Sequence, residues 1–163
     1  MTEPQVAPKP TVPYPAPDFS LESVGGGTKS LADYRGRWLV LYFYPKDETP
    51  GCTTEACSLR DARDDIAALG AEVVGVSRDD ATSHDKFKAH HSLNFDLLSD
   101  PDATVHKRYG AWGKGMFGIE GVKRQTFIID PNGKVRKVFG RVTVIGHGEQ
   151  VVAELRKMIN KED

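Results

Sequence analysis

Seven consecutive residues, Trp38-Leu39-Val40-Leu41-Tyr42-Phe43-Tyr44, are apolar or aromatic without a break. A strand with one face in water alternates apolar and polar residues. One that does not alternate is covered on both faces, as in the middle of an α/β sheet. The next segment is equally constraining. Over residues 50–69, Cys52, Ala56, Leu59, Ala62, Ile66 and Leu69 recur at spacings of three and four, the single buried stripe of a helix. Thr49 suits its N-cap, Pro50 its first helical position and Gly70 its end. Residues 71–76 then read as a second strand, so strand, helix and strand make a parallel, right-handed crossover.

Downstream, the pattern predicts a helix over 81–91, a short strand near 95–98 and a short helix over 103–109. A hairpin comes next, over 125–130 and 134–139, with Pro131-Asn132-Gly133 at its turn. The last element is an amphipathic helix over 148–161, with Val151, Val152, Leu155, Met158 and Ile159 inward. Upstream, residues 19–24 and 28–30 flank Gly25-Gly26-Gly27 as an N-terminal β-hairpin. That glycine turn lacks the leading glycine and following helix of a phosphate loop. Residues 18–163 thus form one domain, a mixed central sheet flanked by helices. The pattern is compatible with several folds, the thioredoxin-like one among them. Residues 1–17 hold six prolines and read as an extended, solvated arm.

The charges balance: 22 Lys and Arg against 23 Asp and Glu. No global field favours nucleic acid or an anionic membrane, and no apolar stretch approaches the length of a span. The first residues lack the basic start and apolar middle of a secretion signal, so the expected compartment is the cytoplasm. Neither the two cysteines nor the five histidines recur at metal-ligand spacing, so no metal is expected. The histidines read as solvated.

Both cysteines sit in Thr49-Pro50-Gly51-Cys52-Thr53-Thr54-Glu55-Ala56-Cys57. Cys52 would be the third residue of the helix, where the dipole and free N–H groups bias a thiol toward thiolate. A buried, inert thiol is the plainer reading of one such cysteine. The approach through Thr-Pro-Gly and the second thiol turn the balance toward a redox site. Five residues of helix carry Cys57 about 7.5 Å along and about 140° around, roughly 8–9 Å between Cα atoms. A disulfide wants about 4.4–6.8 Å. Any Cys52–Cys57 bond therefore requires the first turns to unwind. Cys57 faces away from the apolar stripe, so partial exposure is expected.

Here the chain resembles a known family. Pro45-x-x-x-Thr49-x-x-Cys52 is similar to the active-site motif of the peroxiredoxins, thiol peroxidases of thioredoxin-like fold. The longer stretch from Phe43-Tyr44-Pro45-Lys46 through Thr49-Pro50-Gly51-Cys52 and Glu55-Ala56-Cys57 to Leu59-Arg60-Asp61 resembles the Q-type, or bacterioferritin-comigratory, branch. Ala16-Pro17-Asp18-Phe19, Leu97-Leu98-Ser99-Asp100, Trp112-Gly113 and Arg124 before Thr126-Phe127-Ile128-Ile129-Asp130 extend the match. The main departure is a glycine-rich, shortened loop over 113–121.

The resemblance implies that Cys52 is the peroxidatic thiolate, which attacks peroxide and becomes a sulfenic acid. It implies that Thr49 orients the reactants, Arg124 stabilises the thiolate and polarises the peroxide, and Pro45 shields the site from water. Cys57 would condense with the sulfenic acid, and a thioredoxin-type reductase would restore both thiols. The substrates implied are hydrogen peroxide and organic hydroperoxides, the state a monomer, with no cofactor. Read without the family, Thr49 is only a cap, Arg124 a surface ion-pair member and Pro45 the end of a strand. Gly113-x-Gly115-x-x-Gly118 comes after a helix rather than a strand, so it reads as a mobile loop, not a dinucleotide site. A redox sensor read by a partner protein is the alternative function. A general disulfide oxidoreductase lacks its Cys-x-x-Cys.

Overall fold

The structure, a computed structural model, describes residues 9–115 and 118–161. Ten strands and four α-helices succeed one another along the described chain. The strands are β1 (Tyr14–Pro15), β2 (Ser20–Ser23), β3 (Thr28–Ser30), β4 (Trp38–Phe43), β5 (Ala71–Ser77), β6 (Asp96–Ser99), β7 (Trp112–Lys114), β8 (Glu120–Val122), β9 (Gln125–Ile129) and β10 (Lys134–Phe139). The helices are α1 (Pro50–Ala68), α2 (Ala81–His90), α3 (Thr104–Tyr109) and α4 (His147–Lys161). Eight strands form one sheet in the order β1-β10-β9-β4-β5-β6-β2-β3, and β7 and β8 pair separately.

The apolar run is β4, near the middle of that sheet and fully buried. Its alternation builds two cores. Trp38, Val40, Tyr42 and Tyr44 face the layer of α1, α2 and α4, beside Leu59, Ile66, Phe87, Val151 and Leu155. Leu39, Leu41 and Phe43 face the other layer, with Phe127, Val105 and Tyr109. β4 runs parallel to β5 and antiparallel to β9, and β5 runs parallel to β6. The expected crossover through α1 is therefore present, and a second one runs through α2. Gly75 sits opposite Tyr42 in the register, where a Cβ would press to 2.8 Å from its ring.

On the helical side α1 packs on α4, and Gly148 makes the approach possible. A Cβ there would fall on the Ser58 carbonyl, while the Gly148 N–H donates to Ser58 Oγ at 2.8 Å. The start of β9, paired with the end of β4, and the start of α4 thus lie beside the first turns of α1.

Three expectations need correction. The arm is not wholly solvated: β1 pairs antiparallel with β10, Tyr14 is buried, and Ala16 N–H donates to the Gly133 carbonyl. The folded body thus begins ahead of residue 18, and residues 1–8 lie outside the described residues. The glycine-rich segment does not read as a plain loop, because Trp112–Lys114 pairs with Glu120–Val122 as a ribbon. Nor are the histidines all solvated. His84, His106 and His147 are fully buried, each with a ring nitrogen held by a polar partner.

Candidate active site

β4 ends at Phe43, and the loop over 44–49 carries the chain to α1 at the carboxyl edge of the sheet, where open α/β folds place their sites. A buried network fixes this loop. Tyr44 donates its hydroxyl to Asp47 Oδ1 at 2.6 Å, and Ser83 donates to Asp47 Oδ2 at 2.8 Å. His84 Nδ1 lies 2.7 Å from the same Oδ2, and its Nε2 lies 3.0 Å from the Leu98 carbonyl. Both ring nitrogens thus have an oxygen partner. The Asp47 backbone N–H donates to Asp79 Oδ2 at 2.8 Å. The loop is tied to β5 and α2 before the helix begins.

Thr49 occupies the N-cap position with extended backbone, and its carbonyl accepts from Thr53 N–H at 2.8 Å. Its hydroxyl does not cap the helix as the sequence suggests. It donates instead to the Lys46 carbonyl at 2.9 Å. With its proton committed there, Thr49 Oγ1 can only accept from an incoming O–H. Pro45 is exposed in the same loop.

Cys52 is the third residue of α1 and 1% exposed. Arg124, just ahead of β9, brings Nη2 to 3.2 Å from Cys52 Sγ. Its Nη1 donates to Glu55 Oε1 at 2.6 Å. One guanidinium therefore spans the thiol and a carboxylate one turn further along the helix. Gly51 leaves room for it: a Cβ there would lie 3.3 Å from Arg124 Nη2. A rigid cationic fork beside a sulfur at a helix N-terminus offers charge-assisted donors to a developing oxyanion.

Behind Arg124 the site is buried. Glu55 is fully buried, and its Oε2 has no hydrogen-bond partner among the described residues. Burial pushes its carboxyl up to about 7, against the opposing pull of Arg124. His147 lies nearby, with Nε2 4.0 Å from Glu55 Oε2 and 2.8 Å from Thr126 Oγ1. Burial lowers its pKa, so the ring is neutral. The Thr126 hydroxyl donates to Nε2, and Nδ1 donates to Gln150 Oε1 at 3.3 Å, a tautomer assigned from these partners.

Cys57 lies on the same unbroken helix, half-buried, and both thiols are free. It opens on a groove of about 740 Å³ between α1 and α4, lined also by Thr54, Ser58, Ile145, Val152 and Arg156. The structure thus brings Cys52 and Arg124 into contact, keeps Cys57 on the opposite side of α1, and leaves Thr49 and Pro45 in the loop above. Sequence reading gave no role to Glu55, His84, Asp47 or His147. For Glu55 a signal existed: it falls within the stripe of Cys52, Ala56 and Leu59, an ionisable group where apolar ones belong. No helix among the described residues is long and apolar enough to cross a membrane.

Residues 12–138 match the model of the AhpC/TSA family. The chain is 44% identical over 149 residues to peroxiredoxin Bcp of Bacillus subtilis, covering 90% of this chain and 95% of that protein. Its structure is similar to that of Xanthomonas campestris peroxiredoxin Q, with a TM-score of 0.83, 38% identity, and coverage of 86% of this chain and 91% of that one. It is equally similar, at 0.83, to a structure of the X. campestris bacterioferritin comigratory protein described for alkyl peroxide reduction, at 37% identity and covering 86% and 92% of the two chains.

Proposed function

The chain belongs to the AhpC/TSA family as a Q-type peroxiredoxin, a thiol-dependent peroxidase, and we propose that it runs a two-thiol cycle on hydrogen peroxide and organic hydroperoxides. The observation that carries this reading is Arg124 Nη2 at 3.2 Å from Cys52 Sγ. The Cys52 thiolate attacks the terminal peroxide oxygen and the O–O bond breaks. Sulfur gains that oxygen as a sulfenic acid, and the leaving alkoxide or hydroxide takes a proton to become alcohol or water. Arg124 offers donors to the oxygens as charge develops. Thr49 Oγ1, its own proton on Lys46, accepts the peroxide O–H. Pro45, exposed in the same fixed loop, shields the approach from water.

Cys57 then attacks the sulfenic sulfur, water leaves, and a Cys52–Cys57 disulfide forms. With the thiols five residues apart on one helix, α1 must unwind locally first. Condensation also removes the sulfenic acid before it is oxidised irreversibly. A thioredoxin-type dithiol supplies the two electrons that restore both thiols, and the groove beside Cys57 gives it access. Because the thiols cycle rather than staple the fold, we place the protein in a reducing cytoplasm. By its Q-type resemblance we read it as a monomer, which sedimentation will test.

The test is a coupled assay with NADPH, thioredoxin reductase and thioredoxin. Turnover of peroxide should be abolished in Cys52→Ser and limited to about one equivalent in Cys57→Ser. Sustained turnover by Cys52→Ser would overturn the assignment.

A further inference from the structure

The Glu48 carboxylate stands between two imidazoles that the peroxidase chemistry does not use. Its Oε2 lies 2.7 Å from His90 Nδ1 and its Oε1 2.9 Å from His91 Nε2. The rings are 4.3 Å apart, and the three donor atoms lie within 4.8 Å of one another. Glu48 belongs to the loop between β4 and α1, while His90 ends α2 and His91 caps it. The group spans 42 residues of chain at its shorter separation, so no local ligand spacing reveals it.

The donor set fits a borderline divalent ion. Two imidazoles and a carboxylate hold Zn²⁺ with the fourth position open to water. Bond lengths of about 2.0–2.1 Å at tetrahedral angles put neighbouring donor atoms about 3.3 Å apart. The contacts to Glu48, made through its two oxygens, are 2.7 and 2.9 Å, and one ligand atom from each residue lies within 4.8 Å of the others, so small side-chain rotations bring the set to that spacing.

The ligands are also held in advance. Glu48 has φ +65°, the left-handed region that non-glycine residues seldom occupy. Neighbouring Asp47 is locked by Tyr44, Ser83 and His84, which fixes the backbone from which Glu48 projects. His91 sits edge-on to Phe87 at 5.3 Å between ring centres. Glu48 and His90 are 45% and 66% exposed, so an ion can enter from solvent without opening the fold.

We propose that Glu48, His90 and His91 form a zinc site that clamps the loop ahead of α1 onto α2. Zinc replaces the shared protons of the two hydrogen bonds, as metal binding to such ligands must. An ion that binds this arrangement, and not one in which the loop has moved, biases the chain against unwinding at Cys52. At a concentration about a hundredfold above its Kd, the opened population falls about a hundredfold. The link to unwinding rests on the two-thiol cycle; the binding does not.

The test uses untagged Cys52→Ser/Cys57→Ser protein, so that no thiol can take the metal and failure of the peroxidase reading cannot disturb the result. Titration calorimetry with Zn²⁺ should show one ion per chain. Adding His90→Ala or Glu48→Gln should weaken binding about tenfold or more, with the metal-free melting temperature unchanged. In the same protein, zinc should slow amide hydrogen exchange across residues 45–53. No saturable binding, or equal binding by the His90→Ala and Glu48→Gln proteins, overturns the site. Binding that leaves exchange unaltered overturns the clamp.

Discussion

Arg124 Nη2 and Cys52 Sγ lie 3.2 Å apart although 72 residues of chain separate them. The contact exists because β9 pairs with β4, the strand that leads into α1. Removing the guanidinium takes away both the cation beside the sulfur and the donors aimed at the reacting oxygens. Arg124→Ala should lower the second-order rate constant for peroxide by about a hundredfold or more. Arg124→Lys, which keeps a charge but not the fork, should fall between. Stopped-flow mixing with hydrogen peroxide reads both. A rate within a factor of about two of wild type for Arg124→Ala would remove Arg124 from the chemistry.

Cys57→Ser should oxidise at Cys52 as fast as wild type, since Cys57 lies away from the Arg124 contact. Without a partner thiol, the sulfenic acid should persist and proceed under excess peroxide to sulfinic acid. Mass spectrometry after a peroxide pulse checks this. Hydrogen exchange across residues 50–58 supplies the companion measurement, with protection falling when wild type forms its disulfide.

Glu55 gives a pH signature. Its carboxyl is pushed up to about 7 by burial, from an ordinary value of 4.5. The folded state therefore holds a proton that the unfolded state releases. The resulting stability is fully present below about pH 4.5, declines as pH rises, and is gone above about pH 7. The range corresponds to roughly 3 kcal/mol. Glu55→Gln cannot titrate, so its melting temperature should gain on wild type between pH 4.5 and 7 and run parallel above. The constant offset from leaving Arg124 without its carboxylate does not affect that slope. Parallel curves throughout would mean that Glu55 is ionised in the fold across the whole range.

Gly148→Ala tests the seam that sets α4 against α1. The added methyl meets the Ser58 carbonyl and the Ala62 side chain, so the helices must part. Overpacking of this kind costs about 1–3 kcal/mol. Chemical denaturation should show that loss, and an unchanged midpoint would mean that the seam yields freely.

How far the sequence alone reveals this molecule depends on how local each signal is. The unbroken run of β4 marked a strand covered on both faces, and Thr49-Pro50-Gly51 marked where the next helix starts. Cys52 and Cys57 stood out because they are the only thiols and share one short segment. Glu55 did not, because its significance depends on Arg124, 69 residues away. In isolation a glutamate in a helix looks like any surface charge. Buried His84, His106 and His147 carry no period of their own, and only Asp47, Asp100 and Thr126 show why they are inside. The strand at Tyr14 was hidden among prolines, since pairing two residues leaves no pattern to read.

The most direct test of the peroxidatic role of Cys52 is the rate at which reduced protein reacts with hydrogen peroxide in a single turnover, followed by stopped flow and confirmed by thiol titration. An activated thiolate beside Arg124 predicts a second-order oxidation of Cys52 orders of magnitude faster than that of free cysteine, and lost in Cys52→Ser. A rate no greater than that of an ordinary thiol would contradict it.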